Sequence, residues 1–312
     1  MPSKLTTDLL DVLDTLAGGV HAGFRPAHAH GVMYSGMFAP TPEAATLTRA
    51  PHAVRESTPV TVRFSVSAGV PTIAENDAKG SSPQGMAIRF HLADHVHTDI
   101  VAHSHNGFAA RTGEEFLEFL RAVAASGPGS PEPPPIAAFL ASHPAAKAFA
   151  EAPKPIPKSY ASQKYFAMTA FQFTNAGGQS QFGRFQIRPH AAIEVLTAEE
   201  AAKKPTDFLS AEFSQRLAQS PVKFDVMVQL AEPTDDVTDA TKVWPESRKQ
   251  LKLGTVTITA RVDELAPEQR KVIFDPVPRV DGIDSAGDPL TAVRSEIYLL
   301  SGRRRRTSGK IE

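Results

Sequence analysis

Thr58 to Val66 reads TPVTVRFSV, with Val60, Val62, Phe64 and Val66 on one side of an extended chain and Thr61, Arg63 and Ser65 on the other. Strict alternation over this length predicts a β-strand with one face in a core, and it presents Arg63 and Ser65 side by side. Working outward, strand character returns at 85–92, 99–102, 166–175, 183–189, 222–231 and 254–262, with turn residues between. Many strands separated by turns imply an antiparallel sheet or barrel. Helical spacing interrupts them at 4–16, where Gly18-Gly19 stop the pattern, at 112–125, at 136–149 and at 198–218. The class is therefore mixed α+β. The runs PGSPEPPP (128–135) and PKPIPK (153–158) hold many of the 26 prolines and read as extended surface connections, or as a linker between two domains.

Composition narrows the chemistry. At 312 residues the chain matches two average domains or one large one. Thirty-three Lys plus Arg against 34 Asp plus Glu leave a net charge of −1, so there is no field of one sign to gather nucleic acid or anionic lipid. Without cysteine, disulfides, thiolate metal sites and cysteine nucleophiles are excluded. The acids Asp8, Asp11 and Asp14 break up any leader-like apolar stretch, and no apolar run is long enough for a membrane helix, so a cytoplasmic location is expected.

Three groups could carry chemistry. Five of the 11 histidines (His91, His95, His97, His103, His105) crowd into one stretch, which reads either as a metal site or as solvated and structural residues. A second group is Arg25, His28 and Gly31 in FRPAHAHGVMYSGMF, where small neighbours leave a planar ligand room to approach the imidazole. The third is Arg294-Ser-Glu-Ile-Tyr298. Four-residue spacing on a helix sets a guanidinium over a phenol and favours the phenolate, a hard oxygen donor for ferric iron. Taken alone, each pattern also fits an ordinary structural role.

In order along the chain, RPAHAHG (25–31) with GMF following, VRFSVSAG (62–69), SPQGMAIRF (82–90) and DIV at Asp99 resemble the catalase superfamily. The series continues with TKVWP (241–245), FDPVPRVDGI (274–283) and RSEIY (294–298). The resemblance covers most of residues 20–305 and implies an eight-stranded antiparallel β-barrel with surrounding helices. Because the chain is much shorter than a full catalase, it resembles the minimal branch of catalase-related peroxidases, and residues 1–312 are expected to form a single haem domain.

By position the resemblance makes His28 the histidine that moves the peroxide proton and Ser65 the partner of its second nitrogen. It makes Tyr298 the axial ligand of ferric haem b, as tyrosinate, with Arg294 keeping it ionised. Arg25, Arg63 and Arg305 match the arginines that pair with the haem propionates, although the run Arg303 to Arg306 leaves the last assignment open by one residue. Phe116 matches a ring near the haem. Where many catalases carry an asparagine, this chain has His103, in DIVAHSHNGF, so the task of holding peroxide passes to His103 or to Asn106. The expected activity is peroxidase turnover of organic hydroperoxides and hydrogen peroxide with a small organic reductant, and weak catalase activity. The rival expectations are a fatty-acid hydroperoxide isomerase and a non-catalytic haem or metal carrier. A homodimer is also expected, with the amphipathic N-terminal helix contributing to it.

Overall fold

The computed structural model describes residues 2–77, 79–263 and 271–308. Its strands are β1 (Gly31–Pro40), β2 (Thr58–Ser65), β3 (Gly85–Ala93), β4 (Val96–His103), β5 (Tyr165–Phe166), β6 (Phe171–Thr174), β7 (Ser180–Pro189), β8 (Val222–Leu230), β9 (Gln250–Arg261) and β10 (Ile283–Ser285). Hydrogen bonding runs β7-β5-β4-β3-β2-β1-β9-β8, and β8 pairs again with β7, so eight antiparallel strands close into a barrel. Strands β6 and β10 extend one edge of β7. Closure leaves these eight strands with few unpaired edges.

Tyr34, Val62, Ile88 and Ile100 stand in register across β1 to β4 and enter the barrel core, which Phe64, Phe90, Phe213 and Phe224 also fill. The alternation expected in β2 holds from Thr58 to Val62. From there on both faces are buried, Arg63 and Ser65 included, because the outer face at this end of the barrel is covered. The same double burial at Val32, Met33 and Tyr34 explains why β1 was not expected as a strand: its pattern reads as a continuous apolar run.

Outside the barrel, three helices make a second core. The N-terminal helix Lys4–Leu16 is capped by Ser3, whose side chain accepts from Thr6 N–H. It lays Leu9, Leu10 and Val12 against Leu117 and Leu120 of the helix Gly113–Ala124 and Ile297 of the C-terminal helix Pro289–Thr307. Burying each leucine contributes about 1.5–3 kcal/mol. The apolar face of the N-terminal helix is thus occupied within the chain.

Proline divides two of the expected helices. The 136–149 stretch becomes Pro135–Ser142 and Pro144–Glu151, and the 198–218 stretch becomes Ala198–Ala202 and Phe208–Gln219, with Pro205 in the gap. The expected strand 166–175 is likewise two strands, interrupted at 167–170. No helix among the described residues is long and apolar enough to cross a membrane.

Candidate active site

Gly31, Ser65, Gly85 and His103 form one row across β1, β2, β3 and β4. Ser65 therefore has a glycine on each side, and the space is used. His28 adopts a left-handed backbone (φ 55°), held by its own N–H donating to Ser67 O at 2.9 Å. Its ring comes down over Gly85, with Nδ1 3.1 Å from Ser65 Oγ. A Cβ on Gly85 would stand 3.0 Å from Nδ1, 3.1 Å from Cε1 and 2.7 Å from Ser65 Oγ, so only glycine leaves room for the imidazole. Burial, followed by the charges of Arg63, Arg25 and Arg294, pushes the His28 pKa down to about 4. The ring is therefore neutral near pH 7 and able to accept a proton. His103, at the end of the row, is buried; its Nδ1 accepts the His105 N–H at 3.2 Å.

A cluster of arginines lies beside this row. Arg63 donates to His28 O at 2.9 Å and Ala29 O at 3.2 Å, fixing the loop that carries His28. Arg25 and Arg305 each donate to the same carbonyl, Val272 O, at 3.0 Å. Burial and then mutual repulsion lower their pKa values: Arg25 feels Arg63 and Arg305, and Arg63 feels Arg305. Among the described residues neither Arg25 nor Arg63 has a carboxylate partner. Buried guanidiniums facing one another call for anions.

Arg25 is also within electrostatic reach of the Tyr298 hydroxyl, and the Arg294 guanidinium sits 5.8 Å from the centre of the Tyr298 ring. The helix expected for 294–298 is present and runs on through Arg305, so the arginine run is helical and Arg305 is buried in it. Arg25 and Arg305 further line a cavity of about 310 Å³ between the N-terminal arm and the C-terminal helix, together with His21, Phe24 and Arg304.

Several motif residues build the frame of the site. Asp99 takes two hydrogen bonds from Arg89, at 2.8 and 2.7 Å, and a third from Asp275 N–H at 2.8 Å, while Arg89 also donates to Ile273 O. This buried pair ties the β3–β4 hairpin to the segment whose Val272 carbonyl receives Arg25 and Arg305. Phe116 is half-buried in the helical core, where Tyr298 also packs, with its ring 4.9 Å from Phe108.

The crowded histidines separate. His95 is exposed in the β3–β4 turn, and His91 pairs with His97 at that end of the hairpin, the opposite end from His103. Among the described residues no group of three His, Cys, Asp or Glu side chains is arranged to hold a metal ion. That separation favours the solvated and structural reading of this stretch. Two features escaped sequence reasoning: the cradle at Gly85 and the shared carbonyl of Val272. Gly85 lies in the quoted SPQG motif, but its need for glycine appears only once His28 is above it.

A family model described as Catalase matches residues 23–310. A catalase-related peroxidase of Mycolicibacterium paratuberculosis is 37% identical over 307 residues, covering 96% of this chain and 95% of the relative. A catalase-related peroxidase of Synechococcus elongatus is 33% identical, covering 94% and 87%. Among solved structures, catalase A of Saccharomyces cerevisiae superposes with a TM-score of 0.80 at 20% identity, over 91% of this chain and 62% of that one, which supports the fold. With the barrel, the ordered motifs and a family model spanning nearly the whole sequence in agreement, the chain belongs to the catalase family.

Proposed function

We propose that this chain is a haem peroxidase that reduces hydrogen peroxide and organic hydroperoxides with small organic electron donors, and that its catalase activity is weak. The catalase family depends on haem, and peroxide is the substrate consistent with its catalase-related peroxidase relatives. The observation that carries the reading is the two-sided arrangement. A neutral histidine with a serine partner stands on the barrel, a phenol with a guanidinium over it stands on the C-terminal helix, and the buried Arg25, which has no carboxylate partner among the described residues, is within electrostatic reach of both. The donor set suits haem b: hard phenolate oxygen for ferric iron, and guanidiniums for two propionates.

When bound, ferric haem b would supply the Lewis acid and the electrons needed to break the peroxide O–O bond. Tyr298 would hold the iron as tyrosinate, favoured by Arg294, and Arg25, Arg63 and Arg305 would pair with the propionates. His28 takes a proton from the incoming peroxide and returns it to the departing oxygen. Positioned transfer of this kind is worth about 10²–10⁴-fold. Ser65 bonds the other ring nitrogen and fixes the direction in which the imidazole faces. Phe116 would contribute an apolar wall. The proposal further includes residues 1–312 as a single haem domain, a cytoplasmic location and a homodimer.

An absorption spectrum with a Soret band, together with reductant-dependent turnover of peroxide, is the expected result. Tyr298→Phe should lose or weaken haem retention. A protein without a Soret band after expression with ample iron would overturn the reading. Product formed from a fatty-acid hydroperoxide without any reductant would transfer it to the isomerase class.

A further inference from the structure

Two residues past His28, each nitrogen of the His30 ring faces a group that can only accept. Nδ1 lies 3.2 Å from Pro71 O, and Nε2 lies 3.2 Å from Glu75 Oε1. A neutral imidazole has one N–H and its cation has two, so this pair of acceptors requires the imidazolium. Glu75 is fully buried and ringed by donors: Tyr160 Oη at 3.1 Å and the Ser210 hydroxyl reach Oε1, and the Ser210 N–H reaches Oε2 at 3.0 Å. Burial opposes its charge, yet the bonds from His30 and Ser210 prevail and hold the carboxyl below its ordinary range. In turn the Glu75 bond raises His30, against burial and the charge of Arg63 on β2. The Tyr160 and Tyr34 hydroxyls near Glu75 are raised, first by burial, and stay neutral.

His28 depends on the loop that this pair closes. Within residues 66–77, Ser67 O accepts the His28 N–H at 2.9 Å and Ala68 O accepts the Ala29 N–H at 3.0 Å. Further along the same loop, Pro71 and Glu75 receive His30. Glu75 then ties the loop to the helix Phe208–Gln219 through Ser210, and its own N–H donates to Thr206 O at 2.7 Å. A neutral His30 could keep only one of its two bonds, so losing the proton must open this bracing at Pro71 or at Glu75.

We propose that His30 is a positioning residue: its imidazolium, bonded to Pro71 and Glu75, holds the 66–77 loop against the segment that carries His28, and loss of its proton lets His28 drift from its place over Gly85. The inference rests on the haem-peroxidase reading for the task of His28, while the clamp itself needs no cofactor. The two histidines of the segment divide the work: His28 exchanges a proton, and His30 keeps one in order to hold His28 still.

The pH profile of the stopped-flow reaction between haem-loaded protein and peroxide tests the inference. The wild-type rate should be level through neutrality and fall about 10- to 100-fold as pH rises to about 9.5, the cost of a misplaced reacting group. His28 is neutral throughout this range and adds nothing to the change. His30→Lys keeps its charge to about pH 10 and should hold the neutral-pH rate of wild type without the alkaline fall. His30→Gln carries no charge and should show the low rate at every pH. A histidine that merely stabilises the fold would leave the rate of folded, haem-loaded protein level. A level wild-type profile, or the same alkaline fall in His30→Lys, therefore overturns the proposal. Hydrogen exchange read by mass spectrometry needs neither haem nor turnover: at about pH 6 the amides of 66–77 should exchange about 10-fold faster in His30→Gln than in wild type or His30→Lys. Equal protection in all three overturns the clamp. If His30→Gln does not fold, the wild-type and His30→Lys profiles decide. A wild-type protein without a Soret band removes the haem reading and leaves the exchange measurement to judge the clamp.

Discussion

Adding one methyl group at Gly85 would separate the positioning of His28 from its chemistry. In Gly85→Ala the new Cβ would meet Ser65 Oγ at 2.7 Å, His28 Nδ1 at 3.0 Å and His28 Cε1 at 3.1 Å. Ordinary contact begins near 3.4 Å, so the serine hydroxyl must turn away and the ring must lift by several tenths of an ångström. Overpacking of this size costs about 1–3 kcal/mol of stability. The larger effect should be kinetic. A misplacement approaching 1 Å at a reacting group can cost about 100-fold, and the His28–Ser65 bond that orients the base is lost as well. We expect Gly85→Ala to keep its Soret band, because the arginines and Tyr298 are untouched, while its stopped-flow rate of reaction with peroxide falls by about 10²-fold. Gly127→Ala, whose Cβ would approach nothing closer than 4.0 Å, is the matched control and should react at the wild-type rate. A Gly85→Ala protein that binds haem and reacts within about twofold of wild type would refute the claim that His28 is held over this glycine for proton transfer.

Other expectations follow from the same contacts. The depressed His28 pKa predicts a peroxide rate that stays level from neutrality down to about pH 5 and falls only as pH approaches about 4; a fall centred near 6.5 would contradict it. His28, His52 and His103 are all depressed, to about 4, 4 and 3, so the unfolded chain takes up protons that the folded chain refuses. Stability should therefore be full above about pH 6.5 and decline as pH drops from there toward 4. His30, raised by Glu75, acts in the opposite sense: its contribution is complete below about 6.5 and fades as pH rises through the elevated value. Melting temperatures across pH 4–8 check the direction, and His52→Leu should make the acid-side decline shallower. Asp99→Ala leaves Arg89 buried without its partner and should cost about 3–5 kcal/mol by urea denaturation. Because that pair also anchors the Val272 segment, haem affinity should fall with it; unchanged affinity would mean that the segment is held by other contacts.

The sequence made the barrel legible wherever one strand face carries polar side chains. Val60, Val62 and Phe64 alternate with Thr61 and Arg63, and the period is plain. It hid β1, because Val32, Met33 and Tyr34 are buried on both sides and no alternation survives. It also hid the strand break at 167–170, where Ala167, Met168, Thr169 and Ala170 are all buried without being in a strand. At the site, residue types were readable from ordered motifs, while their mutual placement was not. Arg63 and Ser65 could be seen to share a face, yet nothing local indicates that Gly31 and Gly85 flank Ser65 in register, or that His28 takes a positive φ to reach it. The double use of Val272 O joins residues 25, 272 and 305, and contacts at that separation leave no periodic trace.

Charge balance ties the two sides of the site together. The chain as a whole carries −1, yet Arg63, Arg25 and Arg294 crowd one buried region and, after burial, depress His28, as Arg294 does His103. Burial comes first in lowering Arg25 and Arg63, and the charges of Arg63 and Arg305 on Arg25, and of Arg305 on Arg63, act in the same direction. A ligand bearing two carboxylates would bring anions to Arg25 and Arg63, which have no carboxylate partner among the described residues. Binding should therefore raise the pKa values of Arg25 and Arg63 and strengthen the fold, since any ligand that binds only the native state adds to its stability. Haem loading is accordingly expected to raise the melting temperature, and Arg25→Leu to lessen that gain while leaving the melting temperature of the unloaded chain unchanged or higher, because a repulsive neighbour of Arg63 and Arg305 is gone. If Arg25→Leu instead lowers the unloaded melting temperature and leaves the gain on haem binding intact, Arg25 is a structural cation and the anion it awaits is not the cofactor.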